Sequence, residues 1–336
     1  MEQANLQKKW DYSTGPGESI NESLLTRLQK PRGVVDVVID TDTYNEIDDQ
    51  FALAFLIKSD EKYCLKGIYA APFFNQNSIS PADGMEKSYN EIFNILSLME
   101  RDDLKTIVKR GSERYLPNEN EYIVSQAAES LVCLAMKYTP ERPLYIISIG
   151  AITNIASAIL MQPRIIDRIV IVWLGGNAIH WTDNNEFNIS QDIAAARIIF
   201  GCGAALVHLP CMGVVSSFTV SGPELEYWLR GKNKLCDYLV DVTTKAAVTE
   251  NKQALSQTGE SSPSSSRISA WTRVIWDVTA AGWLLDGDFM RDRLEHSPIP
   301  QYGNHYSFDQ RRHLYRYVYH INRDNLFREL IYKLTK

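Results

Sequence analysis

The sequence predicts an α/β fold: an open, mostly parallel sheet flanked by helices, with a helical C-terminal part. Three observations predict it. Short β-branched apolar runs recur down the chain, as at Val37-Val38-Ile39 and from Ile169 to Leu174. Segments of helical periodicity separate them, so strand and helix alternate at βαβ spacing. The 336 residues are 45% hydrophobic and 23% charged, ordinary for a soluble globule and enough for a sizeable core.

Residues 1–32 are polar and read as an N-terminal extension; residues 33–336 read as a single domain. The first strand is the apolar run ending at Asp40, and Phe51 to Ile57 is a helix. Cys64 to Ala71 is the second strand, entering the loop Pro72 to Ser78. Pro81 to Glu100 is a helix with Tyr89, Ile92, Phe93, Leu96 and Met99 on one face. Thr106 to Lys109 is a short strand and Asn120 to Tyr138 a helix. Leu144 to Ile149 is a strand, and Gly150 to Ile155 turns into a helix. Ile169 to Leu174 is a strand ending at Gly175-Gly176, Ile189 to Phe200 a helix and Ala204 to Leu209 the next strand. After Pro210 the pattern is mainly helical, at Pro223 to Arg230 and Lys234 to Thr249. Thr258 to Ser266 is of low complexity and is expected to be a mobile lid loop. Trp271 to Leu285 reads as an apolar helix holding the lone Asp277.

Charge and cysteine usage narrow the partners. A net charge of −6 with no basic stripe argues against nucleic acid. The five cysteines are scattered, with no CxxC pair, so neither a disulfide framework nor a zinc ribbon is expected. A reduced, cytoplasmic setting follows. The first 32 residues lack an apolar stretch and no segment reaches spanning length, so neither a signal peptide nor a membrane association is expected.

The chemistry is concentrated between the first strand and the first core helix. Asp40, Asp42, Asp48 and Asp49 stand within ten residues, with Glu46 beside them. A strand end, a loop and a helix start are where open α/β sheets build their sites. Four carboxylates held there repel one another unless a cation joins them. With no Cys or His nearby, a hard oxygen-seeking ion, Ca²⁺ or Mg²⁺, suits the donors better than zinc. An acidic helix start would account for Asp48 and Asp49, but not for Asp40 and Asp42.

Several separated pieces, from about residue 34 to residue 333, resemble the inosine-uridine nucleoside hydrolase family. They are Asp40-Thr-Asp42 with Asp48-Asp49, Gly150-Ala-Ile-Thr-Asn154, Pro163-Arg164, Gly175-Gly176, Glu186-Phe-Asn188 and Trp276-Asp277. Two of these depart from the family pattern. Five residues separate Asp42 from Asp48, where the family usually has three, and Trp276 stands where much of the family has His. The resemblance implies one open α/β domain that hydrolyses N-ribosides with one Ca²⁺, a nucleoside substrate with a role in purine metabolism, and a homo-oligomer. It implies Asp42, Asp49 and Asp277 as side-chain calcium ligands, with the carbonyl of Ile149 as a backbone ligand. Asp48 would be the general base on a calcium-bound water. Asn75 and Asn188 would hold the ribose hydroxyls; Glu186, with Asn184 or Asn185, would hold the 5′-hydroxyl. Asp277 and Trp276 would also face the substrate, Trp276 as a stacking surface for a base.

The residue types suit that chemistry independently. Breaking an N-glycosidic bond builds oxocarbenium character that an anionic pocket stabilises. Two other readings stay open. One is a nucleoside- or ribose-binding protein that keeps the metal but has lost turnover. The other is a haloacid-dehalogenase-like phosphatase, with Asp40 and Asp42 as its nucleophile motif and Gly287 to Asp292 as its late acidic motif.

Overall fold

The computed structural model describes residues 22–257 and 269–336. Most of the N-terminal extension and the Ser-rich stretch lie outside the described residues. In chain order the elements are α1 (Glu22–Arg27), β1 (Val35–Thr41), α2 (Asp48–Ile57), β2 (Tyr63–Ala70), α3 (Pro81–Leu98), β3 (Val108–Arg110) and α4 (Gln126–Ala135). Then come β4 (Leu144–Ser148), α5 (Thr153–Met161), β5 (Ile169–Leu174), α6 (Phe187–Gln191), α7 (Ile193–Gly201) and β6 (Ala205–Leu209). The C-terminal part holds β7 (Thr219–Ser221), α8 (Gly222–Trp228), α9 (Lys234–Gln257), β8 (Thr272–Val274) and α10 (Val278–Leu284). It ends with β9 (Met290–His296), β10 (Ile299–Gln301), β11 (His305–Ser307), β12 (Leu314–Ile321) and α11 (Arg323–Thr335).

One eight-stranded sheet, ordered β3-β2-β1-β4-β5-β6-β12-β9, carries the fold. Its pairs are parallel except β12 with β9. The central strands are buried on both faces, so they read as continuous apolar runs rather than alternations. Val37, Ile39, Ile147 and Val172 enter one core with α2 and α10; Val38, Ile146 and Ile171 enter the other with α4, α5 and α7. Every residue of α2 is buried, which fits a helix apolar on all sides. Leu24 and Leu28, just after the point where description begins, are buried in the first core. No helix among the described residues is long and apolar enough to cross a membrane.

Three stretches read as helices are built differently. The helix expected over Asn120 to Tyr138 begins at Ser125, whose side chain caps it by accepting from Ala128 N. The helix expected over Ile189 to Phe200 breaks into α6 and α7 at Asp192. That carboxylate accepts from Ala195 N (2.9 Å), Leu116 N (2.9 Å) and Thr153 Oγ1 (2.7 Å). Trp271 to Leu285 gives up its first turns to β8, which pairs antiparallel with β7. The C-terminal part also adds β9 and β12 to the sheet and is therefore not helical alone.

Candidate active site

The strand order reverses at β1 and β4: β2 and β3 lie to one side, β5 and β6 to the other. Doubly wound sheets open a crevice at such a switch point, beyond the carboxyl ends of the strands. A cavity of about 230 Å³ lies there. The segment after β1 contributes Asp42, Asn45 and Glu46; the start of α2 contributes Asp48 and Asp49. Ile149 follows β4, Leu174 and Asn177 close β5, and Cys211 and Met212 follow β6. Asn185 to Asn188 and then Trp276 and Asp277, before α10, complete the walls.

Four buried carboxylates form the floor. Thr41 Oγ1 (2.5 Å) and Asp42 N (3.1 Å) both donate to Asp49 Oδ1, which fixes that side chain. Asp277 N donates to Asp48 Oδ2 at 3.3 Å. Ligand atoms of Asp48, Asp49 and Asp277 all lie within 4.8 Å of one another. Asp42 stands beside this trio in the same cavity, and neither of its buried oxygens has a hydrogen-bond partner. A Cβ at Gly150 would lie 3.0 Å from its carboxyl carbon, so the close approach of Asp42 needs glycine there. Burial first, and then the like charges of Asp49 and Asp48, raise Asp42 well above the carboxylate range. Burial and Asp48 push Asp49 up to about 8. Burial, Asp48 and Asp49 raise Asp277 in the same way. Burial raises Asp48 as well, opposed by the nearby Arg273. Buried acceptors without donors, crowded until they resist ionising, are what a hard cation would relieve. The donors present are all oxygens, so the set fits a divalent ion of that kind.

Asp40 stands apart. It is fully buried behind the cavity, takes a hydrogen bond from Asn154 Nδ2 (2.8 Å), and is raised to about 7 by burial. It lines no part of the cavity and cannot serve as a phosphatase nucleophile. Asp292, in the late acidic motif, pairs with Arg316 (2.6 Å) and Trp283 Nε1 (2.8 Å) on the edge strand β9. Of the residues in the phosphatase reading Asp42 reaches the crevice, but Asp40 and Asp292 do not.

The neutral groups are placed as follows. Asn188 donates its Nδ2 to the carbonyls of Ile149 (3.2 Å) and Leu174 (3.0 Å), tying two strand ends together. Glu186 caps α6, accepting from Asn188 N (2.9 Å), Ile189 N (3.0 Å) and Gly176 N (2.6 Å). Trp276 is half-buried on the wall. Asn184 is buried outside the lining, with its Oδ1 accepting from Asn177 N (2.8 Å). Asn75 is also outside the lining and reaches the cavity only through Asn45, to which it donates at 2.6 Å. His180 is exposed and Trp271 half-buried, and neither lines the cavity.

Sequence reasoning missed Asn45, Leu174, Asn177, Phe187, Cys211 and Met212. Position alone would have found several: Leu174, Asn177, Cys211 and Met212 sit at the carboxyl ends of β5 and β6. Asn45 lies in the lengthened stretch between the two acidic pairs.

Known proteins agree with this geometry. Among curated relatives, a Leishmania major protein named inosine-uridine preferring nucleoside hydrolase is 35% identical over 77 residues, 22% of this chain and 24% of that one. A pyrimidine-specific ribonucleoside hydrolase, RihB, of Escherichia coli is 32% identical over 94 residues, 27% of this chain and 28% of that one. The matched stretch thus spans about a quarter of each relative. Among solved structures, a plant nucleoside hydrolase, PpNRh1, superposes with a TM-score of 0.69 at 18% identity, over 90% of this chain and 99% of that one. These distant likenesses bear on the fold. The family model described as inosine-uridine preferring nucleoside hydrolase matches residues 37–327. With most of its length matched, the chain belongs to the inosine-uridine preferring nucleoside hydrolase family.

Proposed function

We propose that this chain hydrolyses the N-glycosidic bond of a ribonucleoside, or a related N-riboside, to ribose and free base. The observation that carries the reading is the buried carboxylate floor at the switch point, in a chain of this family. In the reaction the C1′–N bond breaks and its electron pair leaves with the base. A water oxygen bonds C1′; the water gives up one proton, and the departing base takes one.

The carboxylates of Asp42, Asp49 and Asp277, with the Ile149 carbonyl, are the groups that would hold a divalent cation, and Ca²⁺ is the ion proposed. Such an ion, when bound, supplies positive charge that eases ionisation of water and accepts ribose hydroxyl oxygens. Asp48 takes the proton from water. Its carboxylate lies within 4.8 Å of ligand atoms of Asp49 and Asp277, which puts a base against the floor. The negative floor stabilises cationic character growing on the ribose. Asn188, already braced on two strand ends, orients the sugar. Five free cysteines suit the reducing cytoplasm.

The test is base release over a panel of nucleosides, with metal content measured on the same sample. We expect about one Ca²⁺ per chain, lost in Asp42→Asn. Asp48→Ala should keep the metal and the fold but lose turnover on the order of 10²-fold or more, as removal of a general base does. Unchanged turnover in that variant removes Asp48 from the mechanism. Nucleoside binding without base release by the calcium-loaded protein would instead support a binding protein.

A further inference from the structure

The loop between the two acidic pairs holds one amide whose orientation is fixed. Asn77 N donates to Asn75 Oδ1 (2.8 Å), so the other arm of Asn75 is its NH₂. That Nδ2 donates to Asn45 Oδ1 at 2.6 Å, which fixes Asn45 in turn. Asn45 N donates to the Asp42 carbonyl (2.7 Å), and the Asn45 carbonyl accepts from Asn77 Nδ2 (2.9 Å). Every polar group of Asn45 is then engaged except Nδ2, on a side chain that is buried and lines the cavity.

A spare donor on a buried side chain beside the acidic pairs stands out in this cavity. Its floor is carboxylates, which only accept when ionised around a cation. Asn188 Nδ2 donates to the carbonyls of Ile149 and Leu174 and Asn177 Nδ2 to that of Asp183, while Asn185, whose Oδ1 accepts from Ser190 Oγ and Asn304 Nδ2, keeps its own Nδ2 on the exposed side of the cavity. Ribose hydroxyls find acceptors everywhere on such a floor. A substrate atom that only accepts needs a donor, and Asn45 offers one from the loop between Asp42 and Asp48. The base acceptors nearest the sugar flank the glycosidic nitrogen; in nucleosides they are pyrimidine O2 and purine N3.

We propose that Asn45 is a specificity residue whose Nδ2 donates a hydrogen bond to the acceptor flanking the glycosidic nitrogen of the base. The inference rests on the hydrolysis reading above. Electron density flows onto that acceptor as the C1′–N bond breaks, so the bond strengthens toward the transition state. Asn75 acts through Asn45 and is a positioning residue. The site would favour leaving groups that present an acceptor beside the scissile bond.

The experiment measures kcat/KM on three substrates with calcium-loaded, full-length protein: inosine, its 3-deaza analogue and a nitrophenyl riboside. The 3-deaza analogue lacks the flanking acceptor, and the nitrophenyl riboside keeps the sugar but has no such acceptor. Wild type should prefer inosine to the 3-deaza analogue by about tenfold, the worth of one hydrogen bond. Asn45→Ala should lose about that factor on inosine and far less on the other two. Asn75→Ala should show the same pattern at smaller amplitude. Equal loss on all three substrates would overturn the inference and make Asn45 a loop or ribose contact. So would a wild type indifferent to the 3-deaza change, a result that needs no variant to fold. Wild type that cleaves none of the three overturns the hydrolysis reading itself.

Discussion

The resemblance sets Trp276 where much of the family has His. The titratable residues lining the cavity, among those described, are Asp42, Glu46, Asp48, Asp49, Glu186, Cys211 and Asp277, with no histidine. Burial and the Glu186 charge hold the Cys211 thiol far above its ordinary range. An indole has no proton to give near neutral pH. The leaving base must therefore be good in itself, be polarised by a neutral donor, or take its proton from solvent. Purines, with ring nitrogens that protonate from water and broad faces for stacking, suit such a wall. We expect inosine to outrun uridine, and Trp276→His to raise uridine relative to inosine by roughly tenfold or more, the lower range of acid catalysis. Initial rates on the two nucleosides decide it. Equal rates in wild type, or a ratio untouched by the substitution, reduce Trp276 to packing. Asp42, Asp48, Asp49 and Asp277 could be picked from the sequence because unpaired acids among apolar residues are costly without a common partner. Asn45 could not, because its meaning depends on which way Asn75 faces.

Short elements position the site, and one residue joins element to chemistry. α6 is only five residues long, and Glu186 satisfies the amides at its start while also holding Gly176 N. The long Glu186 side chain serves as the cap and leaves Asn188 to brace Ile149 and Leu174. Glu186→Ala should destabilise the protein by about 1–2 kcal/mol, the cost of a lost cap. If Glu186 also meets the 5′-hydroxyl, the variant should lose more on inosine than on 5′-deoxyinosine. Denaturant unfolding separates the first effect, and the ratio of kcat/KM values the second. A fall in stability with no change in that ratio leaves Glu186 a cap alone. The parallel strands were legible because burial on both faces writes them as apolar runs. The break at Asp192 was not, because Leu116 and Thr153, which reward it, lie 76 and 39 residues away. β8 and β9 were missed for the same reason: each is defined by a distant partner strand.

At the scale of the whole molecule, the sheet separates two apolar cores, the polar crevice opens beyond the carboxyl ends of its strands, and His208 is buried near that edge. It sits on β6, fully buried against Trp173, Phe200, Tyr315 and Tyr317. Its Nε2 bonds the Gly175 carbonyl at 2.6 Å, at the glycine pair that closes β5. Burial drives it down to about 4, and none of the rings against it carries a charge at that pH. The folded protein therefore keeps this imidazole neutral, while the unfolded chain protonates it below about 6.5. The sign follows from linkage. Unfolding takes up a proton between those values, so the histidine's contribution is present above pH about 6.5 and is lost as pH falls toward 4. The full effect is about 3 kcal/mol. Buried carboxylates act the other way: Asp192, raised to about 6 by burial, favours the fold as it protonates. The total pH profile mixes the two, so a comparison between variants is needed. His208→Gln keeps a donor for the Gly175 carbonyl and removes the titration. The variant should be less stable than wild type near pH 7.5, and the gap should close or reverse near pH 4.5. Denaturant unfolding at the two pH values measures it. A gap that stays constant would mean that His208 protonates as freely in the folded protein as in the unfolded chain, and one that widens at pH 4.5 that the fold favours its charged form.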